Sequence, residues 1–244
     1  LDVGGGDSAH KLAIMAALAF ARRVDVHALP VQGIDHLELC DLQYGRELGY
    51  VVKLLAIAQK RPEGLALRVR PAFIHMDHPL AWVSGPFNAV SVYGHAVGHT
   101  MFYGRGAGGK PTASAVVSDI VSVALGTAPA AFAKLPIWPD QTPPADQLPI
   151  GDVESRYYLR VVCEDRPGVL AQIAAVLGQY DISISSVLQH EPPASAAEGV
   201  PVVITTARAR EGALRKALGE VDALQAVKAR STCMGIVDEH EEAL

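Results

Sequence analysis

Hydrophobic residues at the start of the chain recur with helical spacing. This pattern predicts a helix over 1–21. The residues that we expect on its inward face are Leu12, Met15, Ala16 and Ala19. A short apolar run at 24–31 predicts a strand, and Asp35 is the expected cap of a second helix that continues to about Gly49.

The following 75 or so positions predict strands and then a helix. A nearly continuous apolar run at 50–58 indicates a strand buried on both faces, whereas alternation over 65–70 indicates a half-exposed strand. Two more strands are expected at 88–93 and 97–103, around a tight turn at Gly94 and His95, and a helix at 111–125. We therefore predict an α+β fold, with a mixed sheet covered by helices.

Prolines are concentrated between 128 and 150, at a density that should not sustain a helix or an inner strand. This segment is predicted to be a linker between a first domain at 1–127 and a second at 151–244. The second domain should contain strands at 157–163, 183–189, 202–206 and 224–230, with helices at 166–180 and 211–218. This βαββαβ order is that of a ferredoxin-like unit.

Composition excludes several classes of protein. The net charge is −5, with 21 basic and 26 acidic residues, so no basic stripe is expected to bind nucleic acid. No run of 18 apolar residues is present, so we expect no membrane span. The three cysteines, Cys40, Cys163 and Cys233, lack CxxC pairing, which suits free thiols in a reducing cytoplasm.

The most informative pair of polar residues is Asp7 and Lys11, which follow three glycines at the start of the first helix. Residues four apart share one helix face, so a carboxylate and an amine should project side by side. The positive end of the helix dipole disfavours a protonated amine, which makes Lys11 a candidate acid/base group. The alternative is a surface ion pair that contributes little.

Several stretches together resemble the homoserine dehydrogenase family over residues 1 to about 125. The first stretch resembles the family pattern D-x-x-G-x-D-x-x-x-K. The stretches are LDVGGGDSAHKLAI at 1–14, LGYVVKLLA at 48–56, NAV at 88–90, YGRGAG at 103–108 and PTAS at 111–114.

The resemblance implies roles for four residues. Lys11 would be the acid/base lysine, and Asp2 and Asp7 would bind the substrate. Gly106 would contact the nicotinamide cofactor NAD(P), which an N-terminal nucleotide-binding domain upstream of Leu1 would mainly hold. A monovalent-cation site and a second lysine would also lie upstream, so we expect a fragment that does not turn over alone. The choice between NAD and NADP would depend on the upstream domain.

The glycine loop at 104–109 formally satisfies G-x-G-x-x-G, but the proline-rich segment follows where a Rossmann unit needs a parallel strand. Its glycines could alternatively serve only a tight turn. The pair His95 and His99 lacks the glutamate of H-E-x-x-H and falls on a turn and strand, so we predict no metal site.

The second domain resembles the ACT family of amino-acid-sensing domains through DRPGVLA at 165–171 and DISI at 181–184. By this resemblance, Gly168 and Val169 would bind an effector, threonine, together with Asp181 and Ile182 of a neighbouring copy. A unit that only dimerises is the alternative.

The preferred interpretation is an NAD(P)-dependent homoserine dehydrogenase, interconverting L-homoserine and L-aspartate 4-semialdehyde in threonine and methionine biosynthesis. The resemblance implies a homodimer or a larger homo-oligomer. A non-catalytic ACT-containing regulatory protein is the alternative from another class.

Overall fold

The computed structural model describes residues 2–135, 141–190 and 199–238. Parts of the expected linker, at 136–140, and of the expected second domain, at 191–198 and 239–244, lie outside these residues. The helices are α1 (Gly6–Phe20), α2 (Leu39–Glu47), α3 (Gly109–Ala124), α4 (Thr127–Phe132), α5 (Val169–Gln179) and α6 (Glu211–Asp222). The strands are β1 (Tyr50–Arg61), β2 (Gly64–His75), β3 (Phe87–Gly94), β4 (Gly98–Arg105), β5 (Glu154–Cys163), β6 (Ile184–Leu188), β7 (Val200–Thr206), β8 (Ala209–Arg210) and β9 (Thr232–Val237).

A single mixed sheet runs through most of the structure in the order β1-β2-β9-β5-β7-β6, with the short β8 paired to β5. Neighbouring strands are antiparallel except β2 and β9, which run parallel with Ala72 opposite Gly235. This pair joins the region before the proline-rich segment to the region after it. The predicted α+β architecture with a mixed sheet is confirmed.

Helices cover both faces of this sheet. Successive residues of a strand point to opposite faces, so a single strand contributes side chains to the core on each side. On β5, Tyr157 and Leu159 pack with α5 and α6 in the largest core cluster. Tyr158, between them in sequence, packs on the other face with Phe73 and the α2 residue Tyr44.

The order β9-β5-β7-β6, antiparallel throughout, confirms the predicted ferredoxin-like unit. The predicted last strand at 224–230 is wrong, since the strand is Thr232–Val237. Residues 224–227 form a turn, in which the Val227 N–H donates to the Leu224 carbonyl at 3.0 Å. Their apolar side chains still enter the core, with Ala226 only 1% exposed, which imitates a strand pattern.

The burial predicted for the first two strands is reversed in the structure. The run at 50–58 was expected to be buried on both faces, but it lies in the edge strand Tyr50–Arg61, whose residues are half-buried or exposed. Its partner, Gly64–His75, lies between β1 and β9 and is almost wholly buried. Even Arg68, expected on an exposed face, is 3% exposed.

Two predictions before β1 are also wrong. The expected strand at 24–31 contains instead a single 3-10 turn, Val26–Ala28, where the Asp25 side chain accepts a hydrogen bond from the His27 N–H at 3.0 Å. Asp35 does not cap α2, because the helix begins at Leu39 with Glu38 at its N-cap position.

The prediction that the proline-rich segment at 128–150 cannot sustain a helix is wrong, because α4 extends into it. Pro129 lies in the first turn of α4, where the missing N–H would have no helical partner in any case. Further on, the backbone N–H groups of Arg23 and Leu65 donate to the carbonyls of Pro143 and Asp146 at 2.8 and 2.7 Å. Residues 141–149 therefore pack along the first part of the chain.

The predicted hairpin is confirmed, with β3 and β4 paired from Phe87↔Arg105 to Gly94↔Gly98 as a separate two-stranded sheet. The predicted helix at 111–125 is confirmed as α3. Within the described residues, no helix is both long and apolar enough to cross a membrane.

Candidate active site

A glycine turn positions the first turns of α1. Gly5 occupies the N-cap position with φ 81°, a conformation that favours glycine, and its N–H donates to the Asp2 carbonyl at 3.2 Å. A Cβ atom on Gly5 would approach the side chains of Val31 and Val69 to 3.1 and 3.2 Å. The turn is therefore packed closely against the sheet and its neighbouring loop.

The inner face of α1 is formed by Ala9, Leu12 and Ala16, which pack on the apolar side chains of β2. The prediction of an inward Met15 and Ala19 is wrong, since Met15 is 41% exposed and Ala19 is also exposed. The buried residues are spaced three and four positions apart, starting at Ala9. The helix is therefore rotated about its axis relative to the predicted orientation.

Asp7 and Lys11 are side by side, as their spacing predicts. The Lys11 Nζ lies 2.6 Å from the Asp7 Oδ2, and their side chains are 59% and 44% exposed. The pair is accessible to a substrate from solvent, while the opposite face of the same helix anchors it to β2. Asp2 is exposed in the turn just before α1.

Gly106 lies beyond the end of β4, next to the first strand of the hairpin. Its N–H donates to the Pro86 carbonyl at 3.4 Å, and a Cβ atom here would come within 1.5 Å of the Asn88 side-chain nitrogen. Close approach of Asn88 therefore requires glycine here. Among the described residues, no hydrogen bond or ion pair links Gly106 to Asp7 or Lys11.

The expected effector residues lie at the two ends of α5. Gly168 is its N-cap, with φ 89°, and Asp181 follows its C-terminal end with φ 58°. An 11-residue helix is about 16 Å long, so one copy of the chain does not bring these ends together. The side chains of Val169 and Ile182 are core residues, 2% and 4% exposed, so an effector could reach only their backbone groups.

Glu164 and Arg166 lie in the loop at 164–168, between β5 and α5. The Glu164 carboxylate pairs with Lys228 and, at 2.7 Å, with the Arg166 guanidinium. The hydrogen bond from Lys228, and then that from Arg166, lower the pKa of Glu164. These charges order a loop that leads from β5 into α5.

Two family models match the chain: that for homoserine dehydrogenase matches residues 1–121, and that for the ACT domain matches residues 157–223. The chain belongs to the homoserine dehydrogenase family.

The similarity to members of this family extends over nearly the whole chain. It is 40% identical over 230 residues to the homoserine dehydrogenase of Pseudomonas aeruginosa, covering 93% of this chain and 52% of that protein. It is 40% identical over 243 residues to that of Synechocystis, covering 93% of this chain and 53% of that protein. The chain spans about half the length of the curated relatives it matches.

Solved structures of the family have the same fold. A homoserine dehydrogenase from Thiobacillus denitrificans superimposes with a TM-score of 0.88 at 38% identity, covering 97% of this chain and 54% of that one. A homoserine dehydrogenase from S. aureus gives a TM-score of 0.66 at 26% identity, covering 97% of this chain and 53% of that one.

The helix after the glycine loop, α3, has no buried residue. A solvent-facing helix with this many large apolar side chains is typical of a surface that another protein segment covers. These side chains are Val116, Val117, Ile120, Val121 and Val123.

Sequence reasoning missed a buried charged cluster between α2 and β5. Asp41 is 0% exposed and is bound by Arg160 and Tyr158, which lie almost 120 positions later in the chain. Burial alone would lower the pKa of Arg160, but its hydrogen bonds to Asp41 and Glu38 outweigh this and raise it. The available signal was an arginine within the otherwise apolar run at 157–163.

Proposed function

We propose that this chain is the substrate-binding and regulatory part of an NAD(P)-dependent homoserine dehydrogenase. The enzyme would interconvert L-homoserine and L-aspartate 4-semialdehyde. The single observation that carries this proposal is the adjacent carboxylate and amine of Asp7 and Lys11, 2.6 Å apart on a helix anchored to the sheet. The family membership of the chain supports the choice of substrate.

Lys11 is the proposed acid/base group. As a neutral amine, its Nζ would accept the proton of the homoserine hydroxyl. In the reverse direction, its ammonium would donate a proton to the carbonyl oxygen of the semialdehyde as that oxygen gains charge. The general gain from such a positioned acid or base is about 10²- to 10⁴-fold in rate.

Asp7 and Asp2 are the proposed substrate ligands. The ammonium group of homoserine would compete with Lys11 for the Asp7 carboxylate, so binding the substrate would release the Lys11 amine for proton transfer. An ion pair of this kind also fixes the orientation of the substrate. Asp2 is exposed on the turn that precedes α1, five residues before Asp7.

The nicotinamide nucleotide supplies hydride acceptance and donation when it is bound. We propose that the backbone of the Gly106 loop contacts this group and that Gly106 is needed there so that the Asn88 side chain can pack against the loop. We propose that polypeptide other than residues 1–244 holds most of the nucleotide and covers the apolar face of α3. The proposal rests on the length of the relatives and on the exposure of that helix.

The catalytic proposal is tested in protein expressed from the full reading frame, assayed for homoserine oxidation with both NAD and NADP. Lys11→Ala should reduce turnover by about 10²- to 10⁴-fold while leaving nucleotide affinity nearly unchanged. Lys216→Ala is the matched control, since Lys216 is an exposed lysine on α6. Undiminished turnover in Lys11→Ala would refute the assignment.

We also propose that the chain from residue 151 onward forms an ACT region and that threonine binds between two copies of it. Gly168 and Val169 of one copy would contribute, with Asp181 and Ile182 of its neighbour. The distance between the two ends of α5 supports a site that needs both copies. A homodimer or larger homo-oligomer is therefore part of the proposal, and the three unpaired cysteines support a cytoplasmic location.

Calorimetric titration with threonine tests the effector site. Heat of binding should be present in the parent protein and absent in Gly168→Asp, where a side chain is forced into a positive-φ position. Gly178→Ala is the control, because that helical glycine has open space around its Cα. Absence of heat in the parent would discard threonine.

A further inference from the structure

The turn that precedes α1 rests on the loop that leads into α2. The Ile34 N–H donates to the Val3 carbonyl at 3.0 Å. A Cβ atom on Gly33 would lie 2.5 Å from that carbonyl oxygen and 2.8 Å from the Gly4 Cα, so the two backbones are in direct contact. Any displacement of residues 32–37 would therefore move the turn that carries Asp2 and begins the helix of Asp7 and Lys11.

The other end of this loop is held by the ACT region. Glu38, at the N-cap of α2, lies 2.8 Å from the Arg160 Nη2, and the Asp41 carboxylate receives Arg160 Nε at 2.7 Å and Nη2 at 3.1 Å. The Tyr158 hydroxyl donates to the same carboxylate at 2.9 Å. Arg160 is also held by Thr232 of β9, at 3.0 Å, so its position depends on two strands of the ACT region.

The geometry of this contact is specific to arginine. The two bonds to Asp41 use the planar fork of the guanidinium, which a lysine ammonium cannot reproduce. Arg160 is 7% exposed and Asp41 is 0% exposed, so water does not substitute for a lost bond. The first turn of α2 is thus fixed in both position and rotation from β5.

We propose that Arg160 is a positioning residue for the active site, acting through the first turn of α2 and the loop at 32–37 on the turn at 2–5. It holds the substrate ligands and Lys11 at the distance that hydride and proton transfer require. This inference rests on the proposed dehydrogenase function for its kinetic consequence, but the mechanical connection does not depend on that function.

A second ion pair between the same two regions provides a matched control. The Arg70 Nη1 of β2 lies 2.6 Å from the Glu211 Oε2 of α6, and both side chains are nearly buried. This pair joins the regions through the sheet. Neither of its side chains makes a described hydrogen bond to the loop at 32–37, although the Gln32 N–H of that loop donates to the backbone carbonyl of Val69, next to Arg70, at 2.8 Å. Arg70→Lys therefore weakens the junction as Arg160→Lys does, without loosening the loop.

The kinetic test compares Arg160→Lys and Arg70→Lys in the full reading frame. Displacement of reacting groups by an ångström costs roughly 100-fold, so we expect the kcat of Arg160→Lys to fall by about 10- to 100-fold. The KM for the nucleotide should stay unchanged, and Arg70→Lys should retain the parent kcat. An equal fall of kcat in both variants would overturn the proposal, since it would indicate general loosening of the junction.

Hydrogen exchange provides a readout that is independent of activity. In Arg160→Lys, amide exchange should become faster at 2–9 and at 32–37, including the Ile34 amide that bonds Val3, and Arg70→Lys should leave both segments protected. Unchanged exchange at both segments in Arg160→Lys would refute the connection.

The two proposals fail in different ways. A parent enzyme that does not oxidise homoserine refutes the dehydrogenase function. The hydrogen-exchange comparison would then be the remaining test of whether Arg160 positions the turn at 2–5. If Arg160→Lys does not fold, Tyr158→Phe replaces it. That variant removes one hydrogen bond to Asp41 and should shift kcat and exchange in the same direction by a smaller amount, and no shift in either would refute the positioning role.

Discussion

Replacing Asp41 by alanine should strongly destabilise the protein. The Asp41 carboxylate is fully buried and accepts three hydrogen bonds, at 2.7 and 3.1 Å from Arg160 and at 2.9 Å from the Tyr158 hydroxyl. Removing one partner of a buried ion pair costs about 3–5 kcal/mol, because the remaining charge stays desolvated. Since Glu38 still lies 2.8 Å from Arg160, we expect the lower end of this range, about 3 kcal/mol.

Urea unfolding followed by far-ultraviolet circular dichroism measures this loss, provided that the slope m is unchanged. Asp35→Ala is the control, because Asp35 is 73% exposed and 3.8 Å from its nearest ionic partner, His36. It should change the free energy of unfolding by less than about 0.5 kcal/mol. A loss below about 1 kcal/mol in Asp41→Ala would show that water reaches the site and that the burial argument is wrong.

Three further outcomes are expected. Gly106→Ala should raise the KM for the nucleotide about tenfold, because its Cβ would displace Asn88, whereas Gly104→Ala, with open space around it, should not; equal effects would contradict this. Because hydrogen bonds from Lys228 and Arg166 lower the pKa of Glu164 below its usual 4.5, the stability that this carboxylate adds is present above that pH and lost as the pH falls below it. The free energy of unfolding of Glu164→Gln should therefore be lower than that of the parent near neutral pH, and the two values should converge in acid. A difference that stays constant with pH would contradict this. Burial raises the pKa of the Cys163 thiol, so iodoacetamide should modify Cys163 far more slowly than it modifies the thiol of free glutathione. Mass spectrometry follows both reactions, and equal rates would refute the burial of Cys163.

Local signals predicted the hairpin and the ferredoxin-like unit well. The turn at Gly94 and His95 and the loop at Gly168 carry their own conformational preferences, which do not depend on distant residues. The misplaced final strand had a local cause as well, because the apolar residues at 224–227 enter the core from a turn.

Burial of β1 and β2 could not be predicted from the sequence. The position of a strand in a sheet depends on which strand pairs with it, and β9, which covers β2, lies some 160 positions further along the chain. Arg160 and Asp41 are likewise 119 positions apart, so no local pattern indicates that they meet. The pairing of Asp7 with Lys11 was predictable because both residues lie on one helix. The contacts between distant parts of the chain, such as that between Arg160 and Asp41, were not predictable.

The parallel pairing of β2 with β9 has a consequence for attempts to separate the two regions by truncation. Cutting the chain before β5 would strip the neighbour from Ala72, Phe73 and Ile74, leaving a bare interior edge of apolar strand. Asp41 would at the same time lose its ion-pair partner, Arg160 of β5. Such a truncated protein should tend to aggregate through that edge, and a version of this chain that ends before β5 would need a designed replacement for the missing strand.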